Sequence, residues 1–309
     1  MTKRRIVIAT RESPLAMRQT EWVRDKLIAH YPHLEVEFLG ITTQGDKRLD
    51  VALRKIGGKG LFVKELEEAL YDGRADIAVH SIKDMPMVLP EGLCIPVICE
   101  REDPRDAFVS NQYQSLMTLP QNAVVGTASL RRQTQIRALR SDLELKDLRG
   151  NMNTRLKKMD DGEFNAIILA AAGLKRLGFT DRIRQYFSLE ESLPAAGQGA
   201  MAIECREDAD AIRELIAPLN HLTTAYAVTA ERAVCRRLQG GCQVPIAAYA
   251  EVHKNEIFLR ALVSNKKGTR ILRAKLTGDV KHADDIGTRV AEELIQQGAE
   301  KVLQEFHDE

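Results

Sequence analysis

In the stretch Ile77-Ala78-Val79-His80-Ser81-Ile82-Lys83-Asp84, a short apolar run ends abruptly in a polar turn. An apolar run of this length between turn signals is typical of a buried strand. Ile6–Ala9 is a similar run, and Ser13 and Pro14 after it suit the N-cap and first turn of a helix. This alternation of strand, turn and helix predicts an α/β domain with a largely parallel sheet.

The same alternation restarts after Pro104 and predicts a second α/β domain. Ala200–Glu204 follows a hinge-like segment rich in Pro and Gly, and we expect this strand to return to the sheet of the first domain. From Ile246 onward, two alternating strands and an amphipathic helix over residues 282–297 predict a small α+β domain. The predicted domains are residues 1–99 with 200–217, residues 105–193, and residues 222–309.

Composition excludes several classes of protein. With 309 residues, 44% of them hydrophobic and 29% charged, the chain fits neither a disordered nor a fibrous protein. Its longest apolar run, Ala166–Leu174, is shorter than the roughly 18 residues that a membrane span needs, and the apolar stretch before Arg11 is too short for a signal peptide. We therefore expect no membrane segment, no export and a cytoplasmic location.

The five cysteines, at positions 94, 99, 205, 235 and 242, form an odd set without a Cys-x-x-Cys motif or a His pair at zinc-ligand spacing. We expect neither a disulfide framework nor a metal site. Cys242 differs from the others because two glycines precede it, which suits an exposed loop. On spacing alone, both a reactive thiolate and an inert structural cysteine remain open for this residue.

Basic residues are distributed unevenly, although the formal net charge is only +1. Residues 131–184 contain thirteen basic and seven acidic side chains. Arg131, Arg132, Arg149 and Arg155 lie near predicted helix starts, where backbone N–H groups also favour anions, which predicts a multiply anionic ligand. Solvated helix faces are the alternative. Nucleic acid is disfavoured, because aromatic residues make up only 5% of the chain and none lies among these arginines to stack on bases.

Ligands of open α/β sheets bind beyond the carboxyl ends of the strands, so the polar turns after Ala9, Val79, Val125 and Ala170 are the expected site. In one of these turns, Asp84 has two interpretations: a general acid/base or counter-ion of a cationic intermediate, or an ordinary turn former.

The glycine-rich segment GGKG at 57–60 lacks the spacing of a phosphate loop, which disfavours a nucleotide site. A flexible loop carrying Lys55 and Lys59 still suits close approach to a carboxylate or phosphate, and a mobile surface turn is the alternative.

Eight motifs follow one another along nearly the whole chain: ATRESPLA (9–16), GGKGLF (57–62), HSIKD (80–84), REDPRD (101–106), SLRR (129–132), LRGN (148–151), GQGA (197–200) and GGC (240–242). As a set they resemble the porphobilinogen deaminase family, also called hydroxymethylbilane synthases. The departures are small, since Ala128 stands where the family often has Ser, and Met152 where it usually has Val.

The resemblance implies two α/β domains of the type II periplasmic-binding-protein fold with a cleft between them, and a small α+β domain with the cysteine loop. It implies an enzyme that joins four porphobilinogen molecules head to tail, with loss of ammonia, into the linear tetrapyrrole hydroxymethylbilane. The implied cofactor is a dipyrromethane attached to Cys242 through a thioether. Asp84 would stabilise the cation formed when ammonia leaves and assist proton removal.

The same resemblance implies roles for the other polar residues. Contacts to the cofactor would come from Ser81, Lys83, Thr127, Ser129, Arg131, Arg132 and Gly150. Contacts to the substrate would come from Arg11, Ser13, Arg149, Arg155, Arg176 and Gln198. A mobile loop would carry Lys55, Lys59 and Phe62.

Porphobilinogen is then the expected partner, and we expect no nucleic acid, no membrane and a monomer. The alternative from another class is a non-catalytic anionic-solute-binding or sensor protein of the same fold. It explains the basic turns but not an exposed Cys242.

Overall fold

The computed structural model of the protein describes residues 5–47, 60–241 and 244–306. Contacts within the chain separate it into two compact units, Met1–Arg101 with Ala200–Ala225, and Glu102–Gly199 with Tyr226–Glu309. Each unit therefore combines two separate segments of the chain. The three domain boundaries given above stay a prediction.

The described residues form thirteen strands. They are β1 (Arg5–Arg11), β2 (Glu35–Ile41), β3 (Ile77–Ser81), β4 (Leu93–Ile98), β5 (Asp106–Val109), β6 (Val124–Gly126), β7 (Glu144–Lys146), β8 (Ala166–Ala170), β9 (Ile183–Tyr186), β10 (Met201–Arg206), β11 (Ile246–His253), β12 (Glu256–Ser264) and β13 (Ile271–Asp279).

The same described residues form ten α-helices. They are α1 (Pro14–His30), α2 (Gln44–Lys47), α3 (Lys64–Tyr71), α4 (Leu130–Leu139), α5 (Met152–Asp160), α6 (Ala171–Arg176), α7 (Asp210–Ile216), α8 (Leu222–Arg237), α9 (Ala283–Gln296) and α10 (Ala299–Gln304). No helix in this described part of the chain combines the length and apolarity needed to cross a membrane.

The first unit contains a five-stranded sheet in the order β2-β1-β3-β10-β4. β1 pairs in parallel with β2 and β3, and β10 pairs antiparallel with β3 and β4. Helices cover both faces of this sheet. Since alternate residues of a strand point to opposite faces, residues of β1 pack against helices on both sides. Ile6 and Ile8 pack with Leu27 of α1, whereas Ala9 packs with Leu66 of α3. The expected return of the strand near Ala200–Glu204 to this sheet is confirmed as β10.

The second unit contains a five-stranded sheet of the same arrangement, in the order β7-β6-β8-β5-β9. β6 pairs in parallel with β7 and β8, and β5 pairs antiparallel with β8 and β9. Each sheet therefore has four strands that run the same way and one reversed strand in the fourth position. The largely parallel sheet predicted for the first domain is confirmed, with one antiparallel strand. The reversed strands, β10 and β5, are the first strands after the chain passes from one unit to the other.

Local sequence explains where three helices begin. The Ser13 side chain accepts from the backbone N–H of Ala16, and Pro14 follows it as the first residue of α1. Ser129 caps α4 in the same way, and Asn151 caps α5 by accepting from the N–H of Thr154 at 3.0 Å. These three side chains satisfy N–H groups that have no partner inside the helix.

The second unit also contains the antiparallel sheet β11-β12-β13, with α9 packed beside β12 and β13. Gly287 lets α9 approach α8 closely, because a Cβ at this position would collide with the carbonyl oxygen of Ala230. The predicted fold class is confirmed: two α/β sheets and a small C-terminal α+β part.

Candidate functional site

The carboxyl ends of β1 and β3 lie at the same edge of the first sheet, because these strands pair in parallel. Arg11 is the last residue of β1, Ser81 is the last residue of β3, and Ser13 lies two residues after the end of β1. Gln19 of α1 is buried and donates through Nε2 to Ser81 Oγ at 2.8 Å. The structure thus brings together three predicted site residues and adds Gln19, which the sequence interpretation missed.

Lys83 and Asp84 lie in a single 3₁₀ turn, Ile82–Asp84, directly after β3. Ile82 is buried and donates its backbone N–H to the carbonyl oxygen of Ala200 at 3.2 Å, which ties the turn to the sheet. The Asp84 side chain is exposed and Lys83 is half-buried. A turn tied to the sheet therefore presents an accessible carboxylate at this edge.

Arg11 is contacted on two sides within the first unit. Its Nε donates to Asp46 Oδ2 at 3.0 Å, and its Nη2 pairs with Oδ1 of the same carboxylate. Its guanidinium carbon lies 4.3 Å from the centre of the Phe62 ring, which is a cation–π distance. Burial would raise the pKa of Asp46, but the hydrogen bond and charge of Arg11 hold that pKa below its usual value.

Behind this edge lies a buried group of ionisable side chains that the sequence interpretation did not identify. His80 Nε2 lies 2.9 Å from Glu204 Oε2 across the β3–β10 pair. Glu67 of α3 is also buried, with one carboxylate oxygen unpartnered in the described part of the chain. Burial, with a further contribution from the charge of Glu204, raises the pKa of Glu67 to about 7.

The second unit places its predicted residues at the equivalent edge. β7, β6 and β8 run in parallel, so the turns that follow them meet at one edge of the sheet. Thr127 and Ser129 follow β6, and the Thr127 hydroxyl accepts from the backbone N–H of Ser129 at 3.3 Å. Arg149 and Gly150 follow β7, and α6 follows β8 and ends at Arg176.

Arg131 and Arg132 are buried and share one carboxylate, that of Asp106. Arg131 Nη1 and Nη2 donate to the two Asp106 oxygens at 2.7 and 3.1 Å. Arg132 Nε donates to Oδ1 at 2.8 Å, Gln198 Nε2 donates to it at 2.9 Å, and Ser192 Oγ donates to Oδ2 at 2.7 Å. The carboxylate is thus surrounded by donors from three segments of the second unit.

This arrangement fixes the ionisation of Asp106. Burial alone would raise its pKa, but the two guanidinium groups outweigh burial and hold the pKa far below the usual value. One donor is left over, since Arg131 Nε is buried without a hydrogen-bond partner in the described part of the chain. Arg131 therefore has an internal partner and retains one N–H for another acceptor.

The remaining basic residues hold the turns of the second unit. Arg155 Nε donates to the carbonyl oxygen of Gly150 at 2.8 Å. Gly150 has a φ of 112°, and a Cβ there would lie 2.7 Å from the Thr154 side chain, so this turn requires glycine. Arg176 Nη2 donates to the carbonyl oxygen of Gly199 at 2.7 Å, which ties α6 to the segment next to Gln198.

Three predicted residues, Cys242, Lys55 and Lys59, lie outside the described residues. The other four cysteines are free thiols, with Cys94 half-buried and the rest buried. Within residues 5–47, 60–241 and 244–306, no three His, Cys, Asp or Glu side chains are grouped to hold a metal ion.

Comparison with known proteins identifies the family. The model of the porphobilinogen deaminase, dipyromethane cofactor binding domain matches residues 6–214, and the model of the porphobilinogen deaminase, C-terminal domain matches residues 225–296. A porphobilinogen deaminase of Laribacter hongkongensis strain HLHK9 is 57% identical over 300 residues, which cover 97% of each chain.

Two solved structures show weaker similarity. The methionine-binding protein MetQ is 12% identical, with a TM-score of 0.46 over 70% of this chain and 89% of its own. A nutrient-binding protein from Burkholderia cenocepacia bound to methionine is 13% identical, with a TM-score of 0.43 over 68% of this chain and 90% of its own.

The two matched models are consecutive and leave only short segments uncovered. With a relative 57% identical over 97% of the chain, they show that this chain belongs to the porphobilinogen deaminase family.

Proposed function

We propose that this chain joins four porphobilinogen molecules head to tail into hydroxymethylbilane, releasing one ammonia at each addition. The observation that carries the proposal is the match to the cofactor-binding domain of porphobilinogen deaminases over residues 6–214, which include both polar sheet edges. The edges carry the cationic and hydroxyl groups that a substrate with two carboxylates on every ring requires.

The residues present fit an anionic dipyrromethane. Arg131 Nε is a buried donor without a partner in the described chain, and a ligand carboxylate would satisfy it. Ser129 and Thr127 add hydroxyl groups at the start of α4, where the helix N-terminus also favours negative charge. When bound, the cofactor supplies the pyrrole carbon to which the next ring is joined. We assign its attachment to the Cys242 sulfur.

Asp84 is proposed as the catalytic carboxylate. Loss of ammonia from porphobilinogen leaves a methylene-pyrrole cation, and a nearby carboxylate lowers the energy of that positive charge. The turn Ile82–Asp84 fixes the backbone while the side chain stays exposed, so substrate has access to it. The same carboxylate would accept the proton displaced when the new carbon–carbon bond forms.

The other predicted residues are proposed to bind carboxylates. Arg11 and Ser13 lie at the edge that carries Asp84, within the first unit. Arg149, Arg155 and Arg176 lie at or after the strand ends of the second unit. We assign Gln198 to the same machinery through Asp106 and Arg132, because it contacts both.

The alternative, a non-catalytic binder of anionic solutes, explains the basic turns equally well. Family membership over nearly the whole chain favours the enzyme. We also propose a monomer located in the cytoplasm. The free thiols of the described cysteines suit a reducing compartment.

Replacing Asp84 with Asn tests the proposed chemistry. The amide keeps the size of the side chain but removes its charge, so ammonia release from porphobilinogen should slow at least about 100-fold while substrate still binds. Asp72→Asn is the matched control, since Asp72 is an exposed aspartate in the same unit that pairs with Arg74. A normal maximal rate with weakened binding in Asp84→Asn would contradict the catalytic role.

A further inference from the structure

The Arg11 guanidinium has one edge occupied and one edge open. Asp46 takes the edge formed by Nε and Nη2, and in the described part of the chain Nη1 donates to no group. A guanidinium can hold a carboxylate on either edge through two parallel hydrogen bonds. The Nη1–Nη2 edge is therefore available for a second carboxylate while the first stays in place.

The flat face of the same guanidinium is also fixed. Phe62 lies 4.3 Å below it, and the ring packs directly against the backbone of Gly45. A Cβ at position 45 would collide with the Phe62 ring, so glycine is needed for this contact. The backbone N–H of Gly45 donates to the carbonyl oxygen of Leu61 at 3.0 Å and holds the two segments together.

Asp46 is itself anchored to a buried residue. Its Oδ2 accepts from the hydroxyl of Thr43 at 2.8 Å and from the Thr43 backbone N–H at 3.3 Å. Thr43 is fully buried. The carboxylate that orients Arg11 is therefore held by the fold and needs no ligand to set its position.

We propose that Asp46 is a positioning residue, which orients the Arg11 guanidinium so that its open edge receives a carboxylate of porphobilinogen. The inference rests on the proposed function, because it takes Arg11 as a substrate ligand. An arginine already held on one edge and one face loses less conformational freedom when substrate binds. Asp46 thus acts on substrate affinity through Arg11 and touches no reacting atom.

Asp46→Asn should raise the KM for porphobilinogen about tenfold, equivalent to ~1.4 kcal/mol, and change kcat less than about twofold. Asp46→Glu keeps the charge and should recover part of the affinity. Gly45→Ala displaces Phe62 and should raise KM in the same direction.

Glu37→Gln is the matched control. Glu37 pairs with Arg5 at the opposite end of the same β1–β2 ladder, in an exposed pair. This variant should leave KM and kcat unchanged. A KM increase equal to that of Asp46→Asn would show a general effect on the sheet and overturn the proposal.

A double-mutant cycle with Arg11→Gln separates positioning from general disturbance of the fold. If Asp46 acts through Arg11, Asp46→Asn adds no further KM increase in the Arg11→Gln background. If Asp46→Asn raises KM equally in both backgrounds, or does not raise it in the wild-type background, Asp46 does not position Arg11. Arg11 would then keep its role as a substrate ligand. If Arg11→Gln alone leaves KM unchanged, its assignment as a substrate ligand is wrong. If wild-type protein releases no ammonia, the proposed function itself is wrong.

Discussion

Each unit buries a carboxylate, and the surroundings shift the pKa of these two carboxylates in opposite directions. In the second unit, Asp106 is surrounded by Arg131 and Arg132, and its pKa lies far below the usual value. In the first unit, Glu67 lies near Glu204, and burial raises the pKa of Glu67 to about 7. Burial alone therefore does not determine the charge of a carboxylate, because the neighbouring charges and hydrogen-bond donors determine which form is favoured.

The two carboxylates also have opposite effects on stability as pH changes. The pKa of Asp106 is lowered on folding. The Asp106 carboxylate therefore stabilises the folded state above the unfolded pKa of 3.8, and this stabilisation is lost as pH falls below that value. The pKa of Glu67 is raised from 4.5 to about 7. The contribution of Glu67 to the stability of the folded state is therefore present below pH 4.5 and is lost as pH rises to about 7. The same type of side chain thus favours neutral pH in one unit and acid pH in the other.

Removing Asp106 should have the largest effect. Asp106→Ala leaves two buried guanidinium groups without their shared partner, which should lower the free energy of unfolding by about 3–5 kcal/mol. Urea unfolding followed by circular dichroism measures this change. Asp160→Ala removes the partner of the more exposed Arg182 and should cost less than about 1 kcal/mol. Equal losses in the two variants would contradict the special role of Asp106.

Replacing either buried arginine should prevent cofactor assembly. Arg131→Leu or Arg132→Leu removes a guanidinium from the start of α4, so we expect folded protein whose intact mass lacks the dipyrromethane. Arg137→Leu is the control on the same helix, since Arg137 contacts the carbonyl oxygen of Lys266. If the variants at positions 131 and 132 carry the cofactor normally, these arginines have only a structural role.

Arg149, Arg155 and Arg176 should act later than the buried pair Arg131 and Arg132. Arg149→Leu, Arg155→Leu and Arg176→Leu should each retain the modified Cys242 but accumulate species with one or more substrate rings, because each added ring brings two carboxylates. Mass spectrometry after addition of porphobilinogen would show this as a ladder of masses. If all three variants give the wild-type distribution, these arginines do not bind the added rings.

Glu67→Gln should have the smallest of these effects. The amide cannot ionise, so the variant should lose the decrease in stability between pH 4.5 and about 7 and become about 1–2 kcal/mol more stable than wild type at pH 8. Thermal unfolding across that pH range measures it. Glu68→Gln is the control, because Glu68 is exposed and pairs with Lys64. If the stability of Glu67→Gln depends on pH as that of the wild type does, the group that ionises in this range is not Glu67.

The sequence was sufficient to predict features that depend on residues close together in the chain. Ser13 was predicted to cap a helix, and it accepts a hydrogen bond from the N–H three residues ahead. Ser129 and Asn151 cap their helices in the same way. β4 was missed because Pro96 interrupts its pattern. The structure shows why it is tolerated, since β4 is an edge strand and needs fewer ladder hydrogen bonds.

The partners of the candidate site residues were not predictable in the same way. Asp46 lies 35 positions from Arg11, and Asp106 lies 25 positions from Arg131, so no periodicity connects them. Each aspartate follows a loop and resembles an ordinary turn residue in sequence. Their roles depend on which strands become neighbours, which the sheet order determines. The functions assigned to the individual site residues stay predictions.

The mass of the purified protein shows whether Cys242 carries a dipyrromethane. Wild-type protein should be heavier than its sequence mass by one covalently attached dipyrromethane, and Cys242→Ser should have the sequence mass and no activity, because a hydroxyl is a far poorer nucleophile than a thiolate. Cys94→Ser, at a half-buried cysteine, should keep the excess mass. A Cys242→Ser protein with the full mass excess and normal turnover would show that Cys242 does not carry the cofactor.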